Sequence, residues 1–362
     1  ASLAEVALKF IVRRRRTAGL DFLKTREVTV EILDYPGEWL LDLPMLGQDF
    51  ALWSAETLER MNTGPRAEPA RPFLEFLKTI DPDAPADADT ARRAYDLYLA
   101  YLFDARDRLG LRYLQPGGFL CAPPWPKTEA MIFAPLRATP GRAAKPGSYG
   151  ELFRKRFDLY RAEMGGRFFD KHFRRFDRQI VLVDVLGALH GGPDVFEDTR
   201  LAVSRLAECF SYGGRTLTNP FARGIAKVMF AATKADHVPE RQRDALQILL
   251  GRMAGADIDE MRDSRAAVKT AALAAVRCTL DDRASIDGRD VAVVRGLPMG
   301  RDRLVKFYPG EVPLKPPGPE FWQGSFFELP VFQPPKLDAS GESGVPHLGL
   351  DDALFYLIGD RL

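Results

Sequence analysis

Two apolar runs of strand length, separated by an amphipathic segment, constrain the fold of this chain most. They are RQIVLVDVL at residues 178–186 and KVMFAATKAD at residues 227–236. Between them, near residues 193–212, apolar residues recur three and four apart, which predicts a helix. A further helix is expected from Pro239, and the run LAAVRCT at residues 273–279 is interpreted as a third strand. Strands that alternate with helices predict an α/β fold with a doubly wound, mainly parallel sheet, and its nearly continuous apolar strand at 178–186 is expected to be buried on both faces.

The first part of the chain has a different pattern. Partly alternating β-branched runs at residues 4–12 and 27–33 predict an antiparallel hairpin, whose tip carries the run RRRR at residues 13–16. Arginine runs can bind anionic lipid. A solvated hairpin tip is the favoured interpretation, and peripheral membrane contact is the less favoured alternative.

Helical spacing at residues 40–61, a long helix in DTARRAYDLYLAYLFDARDRLG and an amphipathic helix from Ser148 predict a mainly helical insertion, with loop at residues 115–147. After Thr279, short strands around Gly turns precede a closing helix, LDDALFYLIGDRL. The predicted organisation is a first part of the core at residues 1–46, the helical insertion at 47–171, a second part of the core at 172–280 and a C-terminal extension at 281–362.

Charge and cysteine content limit the partners. Among 362 residues, 51 Lys and Arg face 50 Asp and Glu, so there is no global basic field and nucleic acid is not an expected partner. Cys121, Cys209 and Cys278 form no CxxC pair, which favours a reducing compartment and a cytoplasmic protein. No apolar run approaches the roughly 20 residues of a membrane span. The histidines lack ligand spacing, and surface or hydrogen-bonded positions are predicted for His172, His190, His237 and His347.

The stretch EILDYPGEW ends a predicted strand on Asp34 and forms a DxxG pattern with Gly37. Such an Asp can hold a magnesium ion, through water, and the backbone N–H of Gly37 can approach a terminal phosphate because glycine has no Cβ. Taken alone, the pattern is more typical of an ordinary turn. Glu38 follows directly, where Ras-like GTPases carry a Gln that orients the attacking water. It is either a tentative catalytic residue or a favourable charge at a helix N-terminus.

Thr233-Lys234-Ala235-Asp236 ends the predicted strand VMFAA as a TKxD element. In GTPases the Asp of this element accepts two hydrogen bonds from the guanine edge, and the stem of the Lys covers the base. Adenine lacks that pair of donors, so the element discriminates between the bases. A Lys and an Asp in this position can also cap the next helix. Its order after DxxG favours a guanine-nucleotide fold.

Small residues at the last predicted strand end, Ala274, Ala275 and Val276, would let a backbone N–H reach the guanine oxygen. This is a weak signal, because a small-residue strand packed under a helix has the same pattern. Arg174, Arg175 and Arg178 come before a predicted strand and are expected at the opposite edge of the sheet, so no arginine finger is assigned.

Taken together, the segments DYPGEWLLDLPML, FDRQIVLVD, FAATKADHV, FYPGEVP and LDDALFYLIGDRL resemble the YcjX family of bacterial stress-associated P-loop GTPases over nearly all 362 residues. The resemblance implies a Ras-like nucleotide core with helical insertions and a C-terminal extension. It also implies GTP or GDP as the ligand, with magnesium. Gly37, Thr233, Lys234, Asp236, Ala275 and Val276 would then bind the nucleotide, and Asp34 would face the metal.

One departure from the family pattern is large, because no GxxxxGK[ST] phosphate loop occurs in the sequence. The family places that loop on a strand upstream of the first hairpin. We therefore expect a segment before Ala1 to carry it, and a chain that starts at Ala1 to bind GDP weakly without hydrolysing GTP.

Three functions are compatible with these residues. The leading hypothesis is a GTPase that uses water as nucleophile and magnesium to neutralise the phosphates. The alternatives are a nucleotide-dependent switch or scaffold with negligible hydrolysis, whose insertion recruits an unknown protein partner, and an ATPase. The TKxD element argues against ATP.

Overall fold

The computed structural model describes residues 4–13, 25–121, 128–137, 141–166, 176–211, 225–255, 267–324, 330–337, 340 and 344–362. Its strands form three separate sheets. The strands are β1 (Ala4–Arg13), β2 (Thr25–Asp34), β3 (Arg178–Val183), β4 (Lys227–Ala232), β5 (Ala267–Ala272), β6 (Thr279–Ile286), β7 (Arg289–Gly296) and β8 (Val305–Phe307).

The first two strands form the predicted hairpin. β1 pairs with β2 in antiparallel register from Ala4 opposite Asp34 to Arg13 opposite Thr25. Most of its side chains are exposed, including the apolar Val6 and Ile11. The predicted tip at residues 14–16 lies outside the described residues. The hairpin ends at Asp34, so the DxxG segment begins directly at the end of β2.

A helical region follows, made of α1 (Phe50–Met61), α2 (Ala67–Leu77), α3 (Ala88–Asp107), α4 (Gly117–Leu120) and α5 (Tyr149–Glu163). Its core is aromatic: the Trp53 ring centroid lies 5.5 Å from Phe133 and 5.1 Å from Phe157. Two of the helices have an aspartate N-cap. Leu52 N–H donates to Asp49 at the start of α1, and Thr90 N–H donates to Asp87 at the start of α3, each at 2.8 Å.

The predicted helices agree with these bounds in part. The long helix is confirmed as α3, but residues 40–49 form 3-10 turns rather than α-helix, because Pro44 and Gly47 interrupt the segment before α1 begins at Phe50. The predicted loop at 115–147 contains the short helix α4.

The parallel sheet has the order β3-β4-β5, with Arg178, Lys227 and Ala267 in register at its amino-terminal edge. The crossovers contain α6 (Val185–His190), α7 (Pro193–Ser211) and α8 (Glu240–Met253). Strands β3 and β4 and helices α7 and α8 were predicted correctly. The third strand was not: it is AVKTAA at Ala267–Ala272, and the run predicted as a strand at 273–279 is the turn that follows it.

At β3, one face of this sheet is exposed to solvent. Val181 and Val183 are buried beneath the crossover helices, whereas Leu182 on the other face is 62% exposed. That other face is covered by α9 (Leu350–Ile358), whose Ala353 and Leu357 pack with Met229 but not with Leu182. The prediction that β3 is buried on both faces is therefore wrong, because the single short helix does not extend to Leu182.

The C-terminal sheet is antiparallel, in the order β6-β7-β8. Asp287 and Gly288 form the turn between β6 and β7 with φ values of 50° and 73°. Two successive positive φ angles are typical of a type I′ hairpin turn. These short strands and the closing helix α9 confirm the predicted change of pattern after Thr279.

A groove of about 560 Å³ separates β2 from β3. It is lined by β2 from Arg26 to Leu33, by residues 176–178 at the start of β3, and by Ile358 and Arg361. Among the described strands, β2 pairs only with β1, and β3 pairs only with β4. Each strand thus has one edge without a strand partner among the described residues. The Arg26 guanidinium donates to the carbonyl of Arg361, whose side chain lies near Asp177, so the start of β2 and the start of β3 are both close to the C-terminal residues.

A buried ion pair joins the helical region to the parallel sheet. Arg66 Nη2 lies 2.5 Å from Asp198 Oδ1 on α7, with the Asp198 side chain 2% exposed. Asp198 Oδ2 accepts the backbone N–H groups of Arg112 and Tyr113 at 2.5 and 2.8 Å. A buried carboxylate with three donors is fully paired, which a charge in a protein interior requires.

The protein is therefore a mixed α/β structure with a three-stranded parallel sheet. The doubly wound Ras-like arrangement and the four predicted domain boundaries stay predictions. Among the described helices, none combines the length and the apolar character needed to cross a bilayer.

Candidate functional site

The candidate site begins at the carboxyl edge of the parallel sheet, where ligands bind in open α/β folds. Thr233 follows β4, and its N–H donates to the Val183 carbonyl at the end of β3 at 3.0 Å. Lys234 and Asp236 come next, in a 3-10 turn before α8. The predicted TKxD residues thus lie at a strand end, as the sequence pattern indicates.

Lys234 has a left-handed backbone, with φ 59° and ψ 31°. This conformation is uncommon for residues other than glycine and is found at functional sites. Its Nζ lies 2.6 Å from Asp184 Oδ2. The ion pair is half exposed at both ends, so it contributes little to stability. It does fix where the Lys234 side chain points.

Sequence analysis missed Asp184, which ends β3. Its Oδ1 accepts the N–H of Gly187 at 2.9 Å and so caps α6, while Oδ2 binds Lys234. The signal was present, because VLVD ends a strand on an acid in the same way as EILD. The partner is 50 residues away in sequence, so no local pattern connects the two.

Asp236 is 2% exposed. Its Oδ2 accepts the N–H of Cys278 at 2.8 Å, and its backbone carbonyl accepts the hydroxyl of Thr279. The turn after β5 therefore covers the carboxylate that sequence analysis assigned to guanine. Contact with a base requires this turn to move away from Asp236.

The covering turn contains the predicted small residues. Ala274 forms a two-way backbone bridge with Leu348, at 3.0 and 2.9 Å. Ala275 and Val276 are exposed beyond it. They follow the last parallel strand and directly precede Arg277 and Cys278, and the N–H of Cys278 donates to Asp236. The structure thus brings Lys234, Asp236, Ala275 and Val276 together at one edge.

His237 is half-buried beside Asp236, and its ring centroid lies 5.3 Å from Phe332. Burial lowers the pKa of the imidazole, while the charge of Asp236 acts in the opposite direction. Its Nδ1 is buried and has no hydrogen-bond partner among the described residues. His190 and His347 are exposed, as predicted, and His172 lies outside the described residues.

The second part of the site is the DxxG turn after β2. Asp34 and Gly37 are exposed and Glu38 is half-buried. Among the described residues, no atom lies within 4 Å of the position that a Cβ on Gly37 would occupy. Glu38 lies within electrostatic range of Arg106 on α3, whose pKa is raised chiefly by its hydrogen bond to Asp107 and more weakly by Glu38.

The residues present fit a magnesium ion of the nucleotide-bound kind. Within the described ranges, no group of three His, Cys, Asp or Glu side chains forms a metal cage. Magnesium in nucleotide sites commonly uses one or two carboxylates together with water and substrate phosphates. A single exposed carboxylate at a strand end, Asp34, suits that coordination.

The two parts of the site lie on either side of the groove between β2 and β3. They are linked by Tyr35, whose hydroxyl donates to Gln179 Oε1 on β3 at 3.0 Å. Tyr35 directly follows β2, whereas Gln179 is the second residue of β3. Arg178 is at the opposite end of β3, where it binds Asp360 after α9, as expected. Arg174 and Arg175 lie outside the described residues.

Comparison with known proteins identifies the family. A family model described as "YcjX-like family, DUF463" matches residues 1–362. The chain belongs to the YcjX-like family. A protein of Escherichia coli K12 named "Ras-like GTPase YcjX" is 36% identical over 353 residues, which cover 94% of this chain and 74% of that protein. A protein of the same name from Shewanella oneidensis is 32% identical over 366 residues, covering 98% and 75%.

Proposed function

We propose that this protein binds guanine nucleotide with magnesium, hydrolyses GTP to GDP and phosphate, and acts as a stress-associated regulatory GTPase. The observation that supports this most is the TKxD element directly after β4, with Lys234 and Asp236 beside the turn of Ala275 and Val276. Family membership and the GTPase name of two relatives support it further.

In this proposal each half of the site has a separate task. Once the turn at Cys278 has moved away from it, Asp236 accepts hydrogen bonds from the guanine edge. The stem of Lys234 covers the base, and a backbone N–H of Ala275 or Val276 in the moved turn reaches the guanine oxygen. Asp34 holds the magnesium ion through water, and Gly37 N–H donates to the terminal phosphate. The magnesium ion, when bound, neutralises charge on the phosphate oxygens.

The groove between β2 and β3 is a candidate position for the phosphate-binding part of such a site. A strand laid in it would have an open strand edge on each side, and pairing with both would remove two unpaired edges at once. We propose this groove as the position of a phosphate-binding strand.

Glu38 supports a second candidate, a switch or scaffold with negligible turnover. A carboxylate at the position of the water-orienting Gln can accept a proton from water, but its charge repels the γ-phosphate. A protein of that kind would bind GTP and GDP through the same residues without releasing phosphate. Single-turnover phosphate release separates it from a GTPase, and competition with ATP tests the base.

The decisive test of base recognition uses Asp236→Asn in the protein expressed from its complete gene. The amide presents a donor where guanine also presents one, whereas xanthine presents an acceptor there. Loss of a charged hydrogen bond is worth about 1.5–3 kcal/mol, so we expect guanine nucleotide affinity to fall at least about tenfold and preference to move to xanthine nucleotides.

The matched control is Asp244→Asn on the exposed side of α8, which should keep the wild-type preference. If Asp236→Asn keeps wild-type GDP affinity and selectivity for guanine, the base-recognition assignment is wrong. If the wild-type protein binds GTP but releases no phosphate in a single turnover, the switch is the correct function.

A further inference from the structure

The 3-10 helix Gly37–Asp42, directly after the DxxG turn, is embedded in the helical region. Trp39, Leu40 and Leu41 are buried, at 1%, 5% and 8% exposure. A Cβ at Gly117 would overlap the backbone carbonyl of Glu38, so only glycine permits this close approach of α4 to the turn. The segment that follows the candidate phosphate contact is thus held by backbone packing.

Asp42 ends this helix and is 1% exposed. Its Oδ1 accepts the N–H of Gly117 at 2.7 Å. Its Oδ2 accepts the N–H of Gly118 at 3.1 Å and the hydroxyl of Tyr160 on α5 at 2.7 Å. The same hydroxyl accepts from Gly118 N–H at 3.1 Å, which closes a compact network.

A second contact holds the same helix. Gln115 Nε2 donates to the carbonyl of Leu41 at 2.5 Å. Gln115 is also buried, and its own carbonyl accepts the hydroxyl of Tyr98 on α3. The 3-10 helix is therefore tied to α3, α4 and α5 by polar groups that lie inside the core of the helical region.

Stability alone does not account for a carboxylate in this position. Replacing a buried ionic group with apolar residues of similar volume is often neutral or stabilising, because desolvation offsets the attraction. A carboxylate with three donors does fix the position and orientation of the 3-10 helix, because its hydrogen bonds join the helix to α4 and α5. Asp42 is four residues after Glu38, so the network fixes the backbone of Glu38 as well.

Building on the GTPase function proposed above, we propose that Asp42 and Tyr160 are positioning residues for hydrolysis. They hold the 3-10 helix against α4 and α5, and the helical region thereby sets the position of Glu38 relative to the terminal phosphate. Neither side chain contacts the nucleotide. Their effect is on the turnover step, whereas the residues at the carboxyl edge of β4 determine binding.

The test compares Tyr160→Phe and Asp42→Asn with wild-type protein expressed from its complete gene. A displacement of about 1 Å in a positioned group can cost about 100-fold in rate. We expect kcat for GTP to fall about tenfold or more, with KM for GTP and GDP affinity within about twofold of wild type. Tyr160→Phe keeps the buried ring and so tests the hydroxyl if Asp42→Asn folds poorly.

Matched controls exist in the same region. Tyr149 at the start of α5 donates its hydroxyl to Asp87 at the start of α3, away from the turn. Tyr149→Phe and Asp87→Asn therefore remove the same kind of hydrogen bond without touching the 3-10 helix. Both controls should keep the wild-type kcat.

Amide hydrogen exchange gives a readout independent of turnover. In wild-type protein the amides of Gly117 and Gly118 should exchange at different rates with GDP and with a non-hydrolysable GTP analogue. Tyr160→Phe should reduce that difference, and Tyr149→Phe should leave it unchanged.

The outcomes separate this inference from the proposed function. Wild-type kcat in both Asp42→Asn and Tyr160→Phe overturns the inference and leaves the GTPase function standing. An equal fall in kcat for the variants and the controls also overturns it, because the helical region is then merely disturbed. If wild-type protein does not hydrolyse GTP, the proposed GTPase function fails and the inference fails with it.

Discussion

The stability of the protein should depend on pH through Asp42. Burial raises the pKa of its carboxyl from an ordinary 3.8 to about 6, although the Tyr160 hydroxyl and the amides of Gly117 and Gly118 act in the opposite direction. The native carboxyl therefore keeps its proton at pH values where the unfolded chain has lost it. Unfolding releases a proton between about pH 4 and pH 6, so rising pH favours the unfolded state.

The contribution of Asp42 to the free energy of unfolding is fully present below about pH 4 and is lost as pH rises through about 6. At about 1.4 kcal/mol per pH unit, the difference between the two pKa values corresponds to about 3 kcal/mol.

Asp42→Asn isolates this contribution, because asparagine has the same shape and does not titrate. Urea unfolding of both proteins at pH 4 and pH 7.5, at constant ionic strength, gives the difference in their free energies of unfolding. The wild type should lose up to about 3 kcal/mol relative to the variant as pH rises between these values.

A difference that is constant within about 0.5 kcal/mol, or one that favours the wild type at pH 7.5, would refute the reasoning. The second result would mean that the three hydrogen bonds outweigh burial. Tyr160→Phe adds a check, since removing the hydroxyl removes one influence that lowers the pKa of Asp42. The loss of stability should then extend to higher pH than in the wild type.

Two further predictions concern other carboxylates. Asp34→Ala should weaken magnesium-dependent binding of GTP more than binding of GDP, measured by nucleotide titration; equal losses for both would indicate a structural turn. Asp198→Ala leaves Arg66 buried without its partner and should cost about 3–5 kcal/mol in urea unfolding. Glu197→Ala, an exposed neighbour on α7, should cost less than about 1 kcal/mol, and similar losses for both variants would contradict the buried-pair argument.

Local patterns predicted much of the fold because the contacts that fix those elements are local. The hairpin β1-β2, the long helix α3 and the closing helix α9 each follow from the period of their apolar residues. The third strand was predicted one segment too late because AVKTAA contains two polar residues, whereas the following LAAV contains none. It is nevertheless AVKTAA that pairs with β4. Exposure of Leu182 depends on how far α9 extends over the sheet, which the strand's own sequence does not encode.

In the candidate site, too, residues within short motifs were predicted and residues that depend on distant partners were not. Asp34, Lys234 and Asp236 were found because each lies at or just after the end of a strand, within a short motif. Asp184 and Asp42 were missed because their partners lie 50 and 118 residues away, at Lys234 and Tyr160. The hydrogen bond from Cys278 N–H that covers the Asp236 carboxylate was also missed, because the two residues are 42 positions apart in sequence.

The buried pair of Arg66 and Asp198 has a consequence for how the protein unfolds. The three donors around Asp198 come from the helical region, so melting that region alone would break all three hydrogen bonds. It would also expose the hydrophobic core that the helical region shares with the parallel sheet. The two regions are therefore expected to lose structure in one cooperative transition, with no stable intermediate in which only the parallel sheet remains.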